Sequence, residues 1–353
     1  MRRPDASRIL AVHSDFPVYR YPQAELTAKV AELSGLGADE RVLLERLHAK
    51  AGVEYRHTAL PLSEYSGLRG IERANERYID EAVDLGERAL RGALEGAGLA
   101  GQDLDLLIVT SVTGVAVPSL DARLIPRLGL RPDVKRLPIF GLGCVAGAAA
   151  LARLHDYLLA WPDHHAAVLA VELCSLSWPM TDLVTADLVV TGLFGDGAAA
   201  VVAAGDRGSA GARVVATRSE VYPDSGETLG WRLASDGFRI VLTAELADVI
   251  EGRLAGSVTA FLAEHELTVD EVSVWVCHPG GPKVLDAIQN SLKLPDSAVE
   301  PSRRSLAEVG NLSSVSVLHI LEKILSTNPP PGSTGLMIGL GPGVSVELVL
   351  LRW

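Results

Sequence analysis

The 353-residue chain has only three cysteines, Cys144, Cys174 and Cys277, too few and too far apart for a disulfide framework. No Cys-x-x-Cys or mixed His/Cys spacing suggests a structural zinc site, so metal is not expected, and a reducing cytoplasm fits the cysteine usage. Basic residues are also in deficit. The 32 Lys and Arg face 44 Asp and Glu for a net charge of −12, and they are scattered, so no basic stripe invites nucleic acid. An anionic ligand must then be met by a few local cations. A membrane span is lacking as well: the most apolar stretch, Ala186 to Ala204, carries Asp187, Asp196 and three glycines. A lipid span needs about 20 mostly apolar residues, so this stretch reads as core strands around a turn. Arg2-Arg3 runs into Pro4-Asp5 and not into an apolar segment, which argues against a signal peptide.

What is present is an ordinary globular composition, 48% hydrophobic and 22% charged, enough for a packed core. Such a length suggests two domains or one large duplicated one. Helical and strand periodicities alternate from about residue 80, which predicts an α/β layered core. A repeat runs through them. The helical pattern Ala82 to Leu99 leads into the apolar strand Asp103 to Thr110, and Val249 to Leu267 leads into Asp270 to Cys277, an offset of 167 residues. The same offset carries Cys144 onto Asn311, each opening a helix, and Val168 to Glu172 onto Gly335 to Gly339. Glycine turns close both copies, Gly195-Asp-Gly197 and Gly341-Pro-Gly343, although the first holds an extra stretch from Leu173 to Thr191. The expectation is two similar α/β halves, 1–208 and 209–353, related by a pseudo-twofold axis with equivalent helix starts facing each other.

Three side chains at these matched ends carry chemistry. Cys144, in Gly141-Leu-Gly-Cys-Val-Ala-Gly147, opens a helix, where free N–H groups and the positive dipole end favour a thiolate. Gly141-x-Gly143-x-x-Ala146 also matches a dinucleotide-binding fingerprint, with Glu172 as the acid ending its second strand. It stands deep in the chain and its repeat, Gly310-Asn-Leu-Ser-Ser314, has no such pattern, so the dehydrogenase reading is set aside. His278 ends a strand and is held by Pro-Gly-Gly-Pro282, placed to act as a base or proton donor. Asn311 adds an amide donor. A thiol with two donors aimed at one oxyanion suits acyl transfer.

With these residues the chain resembles the thiolase-fold condensing enzymes, most closely the type III polyketide synthases of the chalcone-synthase-like family. The likeness spans the chain through Gly143-Cys-x-Ala-Gly147, Gly192-Leu-Phe-Gly-Asp-Gly197, His278-Pro-Gly-Gly-Pro282, Gly310-Asn-Leu-Ser-Ser314 and Gly339-x-Gly-Pro-Gly343. It implies a duplicated thiolase-like fold with a layered αβαβα core. It further implies that Cys144 takes the acyl group of an acyl-CoA starter and that His278 and Asn311 stabilise the enolate from decarboxylating malonyl-CoA. The enolate then attacks the Cys144 thioester in a Claisen condensation, with no metal or cofactor. By the same resemblance Phe194 and Phe238 stand between CoA tunnel and cavity. Val112, Thr113, Cys174, Ser177 and Ser313 line the cavity, with Leu229-Gly230 as another wall, and Lys50, Arg56 and Lys283 meet the CoA phosphates.

Mostly small cavity residues favour a medium- or long-chain fatty acyl starter and an alkylpyrone or alkylresorcinol product. Tetrahydroxynaphthalene synthases, which use malonyl-CoA alone, typically carry a cysteine where Val112 stands; they are the alternative, as is a single-condensation ketoacyl-ACP synthase III. A degenerate paralogue that only binds acyl chains or a partner is the non-enzymatic alternative. A homodimer is expected, with Val117 on the loop that in relatives reaches into the partner's cavity.

Overall fold

The computed structural model describes residues 6–68, 70–178, 183–205, 211–234 and 237–353. The expected boundary at 208 and 209, the start at Arg2 to Asp5 and part of the extra stretch, 179–182, lie outside them.

The N-terminal part contributes strands β1 (Ser7–Asp15), β2 (Tyr19–Pro22), β3 (Tyr55–Thr58), β4 (Leu106–Thr110), β5 (Lys135–Ile139), β6 (His165–Leu173) and β7 (Asp196–Gly205). Its helices are α1 (Gln23–Ser34), α2 (Ala38–Ala49), α3 (Ile71–Ala97), α4 (Leu120–Leu128), α5 (Ala146–Ala160) and α6 (Thr185–Leu193). The C-terminal part contributes β8 (Arg213–Val221), β9 (Leu229–Ala234), β10 (Gly237–Leu242), β11 (Val274–Cys277), β12 (Thr334–Gly341) and β13 (Ser345–Arg352). Helices α7 (Leu246–Ala263), α8 (Pro282–Leu292), α9 (Asp296–Val309) and α10 (Ser316–Ser326) complete it.

Nine strands form one sheet in the order β11-β12-β13-β8-β1-β7-β6-β4-β5. Its wings meet where β1 pairs antiparallel with β8 through Ser7–Val214 and Arg8–Arg213. Read outward from that junction, each wing repeats one order: its first strand, its last, the one before, then the strand after the long helix α3 or α7. Only the first wing goes on to an edge strand, β5. The 167-residue offset carries β5 into α9, so a helix stands there in the second wing.

Strand β6 shows why the layers form. Buried along Ala166 to Leu173, it must be covered on both faces. Successive side chains point to opposite faces, so Leu169 and Val171 pack with Leu85, Ala89 and Leu90 of α3, while Val168 and Ala170 pack with α5 and α10. On the second wing Leu336 and Ile338 of β12 meet α7 and α8, whereas Met337 turns toward α5 and α10. Helices α5 and α10 thus form the middle layer between the two wings. Helix α5 is suited to that place because it is apolar nearly all round, with Ala146 to Ala152 buried without a break.

The middle helices start alike. Each is entered through a 3₁₀ turn, Gly143–Val145 before α5 and Ser313–Val315 before α10. The two starts press together at Gly147, where a Cβ would overlap the Ser314 carbonyl oxygen. Helix α3 begins at Ile71, earlier than the apolar period suggests, because its first turns are largely solvated and carry charged pairs such as Arg77–Glu81 at 3.0 Å. No helix among the described residues is long and apolar enough to cross a membrane.

Candidate active site

Cys144 sits in the 3₁₀ turn ahead of α5, on a loop whose shape depends on Gly143. That glycine has φ +57°, and a Cβ there would lie 2.6 Å from Pro342 Cγ, so the cysteine turn and the C-terminal glycine loop fit only without a side chain. The helix start alone would lower the thiol's pKa. Burial acts in the opposite direction, pushing Cys144 up to about 12, and the nearby Glu172 adds to the shift. Its S–H donates to Ser313 Oγ at 3.5 Å.

His278 follows β11. Its N–H donates to the Ile338 carbonyl at 2.9 Å and its own carbonyl accepts from Gly280 N–H at 3.0 Å, so the backbone is held on both sides. Burial lowers the imidazole to about 4, leaving it neutral at physiological pH, and Nδ1 has no hydrogen-bond partner among the described residues.

Asn311 is locked by backbone and side chain together. Its N–H donates to the Leu193 carbonyl at 2.9 Å and its carbonyl accepts from Gly195 N–H at 3.0 Å, a short parallel bridge around Phe194. Its Oδ1 accepts from Ser313 N–H at 2.8 Å and Ser316 Oγ at 3.3 Å. A backbone N–H can only donate, so this bond fixes which end of the carboxamide is oxygen and leaves the NH2 group as the side chain's free donor.

These residues meet at one cavity, lined by Cys144, His278, Asn311 and Phe194 together with Leu193, Leu229, Ile240, Leu242, Leu246, Ile250, Gly280, Val284, Leu340, Gly341 and Val344. Most of the other lining residues are apolar. In such a setting a donor acts strongly on a developing negative charge.

Other expected residues fall elsewhere. Phe238 lies on β10, on the same strand face as Ile240 and Leu242, with its ring edge-on to Trp231 at 6.1 Å. Val112 and Thr113 are tied to Glu172 through the Val112 N–H at 3.1 Å and the Thr113 hydroxyl at 3.0 Å. Cys174 is buried beside Glu172, and Ser177 donates to its carbonyl at 2.9 Å. Ser313 is in hydrogen-bond contact with Cys144.

Arg56 needs correction. It is not a surface cation for phosphate but is wholly buried, donating from Nε to Gln23 Oε1 at 3.0 Å and from Nη1 to the Phe194 carbonyl at 2.8 Å, near Asp196. It braces the site from behind, since the carbonyl it holds belongs to the residue that bridges Asn311. Lys50 and Lys283 are both exposed. Lys283 sits between the cavity residues Gly280 and Val284, and a Cβ at Gly52 would lie 3.1 Å from Pro282 Cγ, which places the Lys50 loop against the start of α8.

Two features are not apparent from the motifs: the aliphatic wall of β10 and α7, and the buried place of Glu172, which the dinucleotide fingerprint offers only as an acid. Glu172 had a signal: an acid inside an otherwise apolar strand is buried only for a reason. The wall did not, because Ile240, Leu242, Leu246 and Ile250 look like any core residues until the chain is folded.

A family model described as chalcone and stilbene synthases, N-terminal domain, matches residues 7–207, and its C-terminal counterpart matches residues 213–353. The chain is a type III polyketide synthase of that family. It is similar to the 1,3,6,8-tetrahydroxynaphthalene synthase of Streptomyces peucetius subsp. caesius, with 52% identity over 350 residues covering 98% of this chain and 93% of that protein. Among solved structures, PKS-I from the brown alga Ectocarpus siliculosus superposes with a TM-score of 0.93 at 28% identity, covering 98% of each chain. The 1,3,6,8-tetrahydroxynaphthalene synthase of Streptomyces coelicolor A3(2) gives a TM-score of 0.92 at 31% identity, covering 98% of this chain and 99% of that one. As a type III polyketide synthase the protein is an acyl-transferring condensing enzyme, and the thiolase-like fold expected from the sequence is the one described above.

Proposed function

We propose that this synthase loads an acyl group from CoA onto Cys144 and extends it with units from malonyl-CoA. In loading, the Cys144 proton passes to neutral His278 as sulfur attacks the thioester carbonyl, and CoA departs as a thiol by taking a proton from His278. Malonyl-CoA then binds and its C–C bond to the carboxylate breaks, releasing CO2. The released electron pair becomes an enolate whose oxygen is held by the Asn311 amide and by His278. The enolate carbon attacks the Cys144 thioester, sulfur leaves, and the lengthened chain sits on CoA ready for reloading. No metal or cofactor enters these steps. The observation that carries this reading is that sulfur, imidazole and a carboxamide with its oxygen already engaged line one apolar cavity. Lys50 and Lys283 are proposed for the CoA phosphates at the cavity's edge, and Phe194 for the passage.

For the starter we propose malonyl-CoA itself, giving an aromatic polyketide of the tetrahydroxynaphthalene type. The 52% identical relative supports this. A fatty acyl starter is the second reading, favoured by the aliphatic wall of Leu229, Ile240, Leu242, Leu246 and Ile250. The decisive experiment offers the purified protein malonyl-CoA alone, then malonyl-CoA with a fatty acyl-CoA panel, with products followed by mass spectrometry. A naphthalene pentaketide from malonyl-CoA alone is expected. Alkylpyrones or alkylresorcinols from the panel, with nothing from malonyl-CoA alone, would install the second reading, and products only with acyl carrier protein would overturn both.

We also propose a homodimer in a reducing cytoplasm. The three cysteines are free. Edge strand β5 is largely exposed, as are Val115, Val117, Phe140 and Leu142, with Val117 at 89%. An apolar patch beside an open edge suits a second copy.

A further inference from the structure

Three of the cavity-lining residues, Leu229, Ile240 and Leu242, come from outside the nine-stranded sheet. Strands β9 and β10 form a two-stranded sheet of their own, paired from Leu229–Leu242 to Ala234–Gly237. A lone hairpin is marginal in water, so the place of this wall depends on what ties it to the rest of the molecule.

At the base of the hairpin the ties are backbone bonds. The Gly343 N–H donates to the Leu229 carbonyl at 2.9 Å, and the Thr243 N–H donates to the Thr228 carbonyl at 3.0 Å. Arg232 adds an ion pair with Glu227 at 2.6 Å, but these side chains are 70% and 85% exposed, and such pairs contribute little.

Farther along, the tie is of another kind. Arg239, the neighbour of Ile240, donates from Nη1 to Asp187 Oδ2 at 3.0 Å. The Asp187 side chain is 2% exposed and that of Arg239 21%, so water and salt screen this pair far less than the Arg232–Glu227 pair. Asp187 is itself fixed, because the same oxygen accepts from the Val184 N–H at 3.0 Å at the start of α6. The other end of α6 is also fixed: Leu193 and Phe194 line the cavity there, and the Leu193 carbonyl accepts from the Asn311 N–H. One short helix therefore runs from the ion pair to the bridge that holds Asn311.

We propose that the Asp187–Arg239 ion pair determines product length: it holds the β9–β10 wall against α6, fixes the space into which the growing chain extends, and so sets how many malonyl units are added. The proposal deepens the function given above, since it rests on a chain growing from Cys144 in this cavity. Both are positioning residues. They act through Ile240, Leu242 and α6, and not on the reacting atoms.

Removing one partner alone would strand a charge in a buried place. The test variant is therefore Asp187→Asn/Arg239→Met, which keeps an acceptor for the Val184 N–H and an apolar stem in place of the arginine's. The first measurement is hydrogen exchange of the full chain without substrate, followed by mass spectrometry. Exchange across 229–242 is expected to quicken by about tenfold or more in the variant, as loss of a hydrogen bond between charged groups implies, while β6 and β7 exchange as in the native protein. Equal exchange in the hairpin would overturn the proposal.

The second measurement is the spread of product lengths by mass spectrometry, with the starter that the native protein uses. The native protein is expected to give one predominant length, and the double variant to divide its products with neighbours differing by a malonyl unit. Arg239→Lys, which keeps a cation and a donor for Asp187, is expected to keep the native pattern. An unchanged pattern in the double variant, or one as broad in Arg239→Lys, would overturn the proposal. Should the double variant not fold, Arg239→Gln, which keeps a donor without the charge, is read by both measurements with the same outcomes. Failure of the condensation reading shows separately, as a native protein that releases no CO2 from malonyl-CoA, and the exchange measurement still decides whether the pair holds the wall.

Discussion

At the residue scale the site works by contrast between neutral groups. Burial disfavours the charged forms of both Cys144 and His278, and Asn311 presents an NH2 group because its oxygen is taken by Ser313 N–H and Ser316 Oγ. Such donors cost nothing to reorganise when an enolate forms. Asn311→Ala is therefore expected to slow CO2 release from malonyl-CoA by about 100-fold or more, the usual loss on removing one oxyanion donor, while acyl loading on Cys144 is retained. Labelled CO2 capture and intact-protein mass spectrometry measure the two steps separately, and unchanged CO2 release would remove Asn311 from the mechanism. The cysteine, histidine and asparagine were legible in the sequence from helix and strand ends at a constant offset. Arg56 was not, because nothing local distinguishes a cation that brackets a phosphate from one that braces the Phe194 carbonyl in the core.

At the element scale the site depends on two helix starts pressed together. The turns before α5 and α10 carry Cys144 and Ser313, and they approach closely enough that only glycine fits at position 147 against the Ser314 carbonyl. Gly147→Ala adds one methyl group to a packed contact, and overpacking of this kind costs on the order of 2 kcal/mol. Urea denaturation should show that loss, and acyl loading should slow with it because the same displacement parts Cys144 from Ser313. Stability equal to the native protein would mean that the two helices have slack. The offset of the two copies told where these starts lie. It did not tell how close they come, since that distance depends on both wings of the sheet closing over α5 and α10.

At the scale of the whole molecule, the two wings join at β1 and β8 and end differently, with an open edge at β5. The proposed dimer covers that edge and the apolar residues beside it. Phe140, 59% exposed on the described chain, is a fair probe. Phe140→Asp places a charge on the patch, and sedimentation velocity at falling concentration is expected to show the native protein as a dimer and the variant shifted toward monomer. A native protein that remains monomeric at all concentrations would leave the patch to another use.

Periodicity and spacing settled the alternation of helices and strands and the duplication, and the motifs around Cys144, His278 and Asn311 carried the family resemblance, because all of these are properties of order along the chain. Which side chains form the cavity wall, which way the Asn311 amide faces, that Arg56 is a brace and Glu172 stands behind the nucleophile were decided only in three dimensions. Burial and hydrogen-bond direction depend on atoms brought together from residues more than a hundred positions apart, as Cys144 and Ser313 are, and no local pattern encodes that meeting.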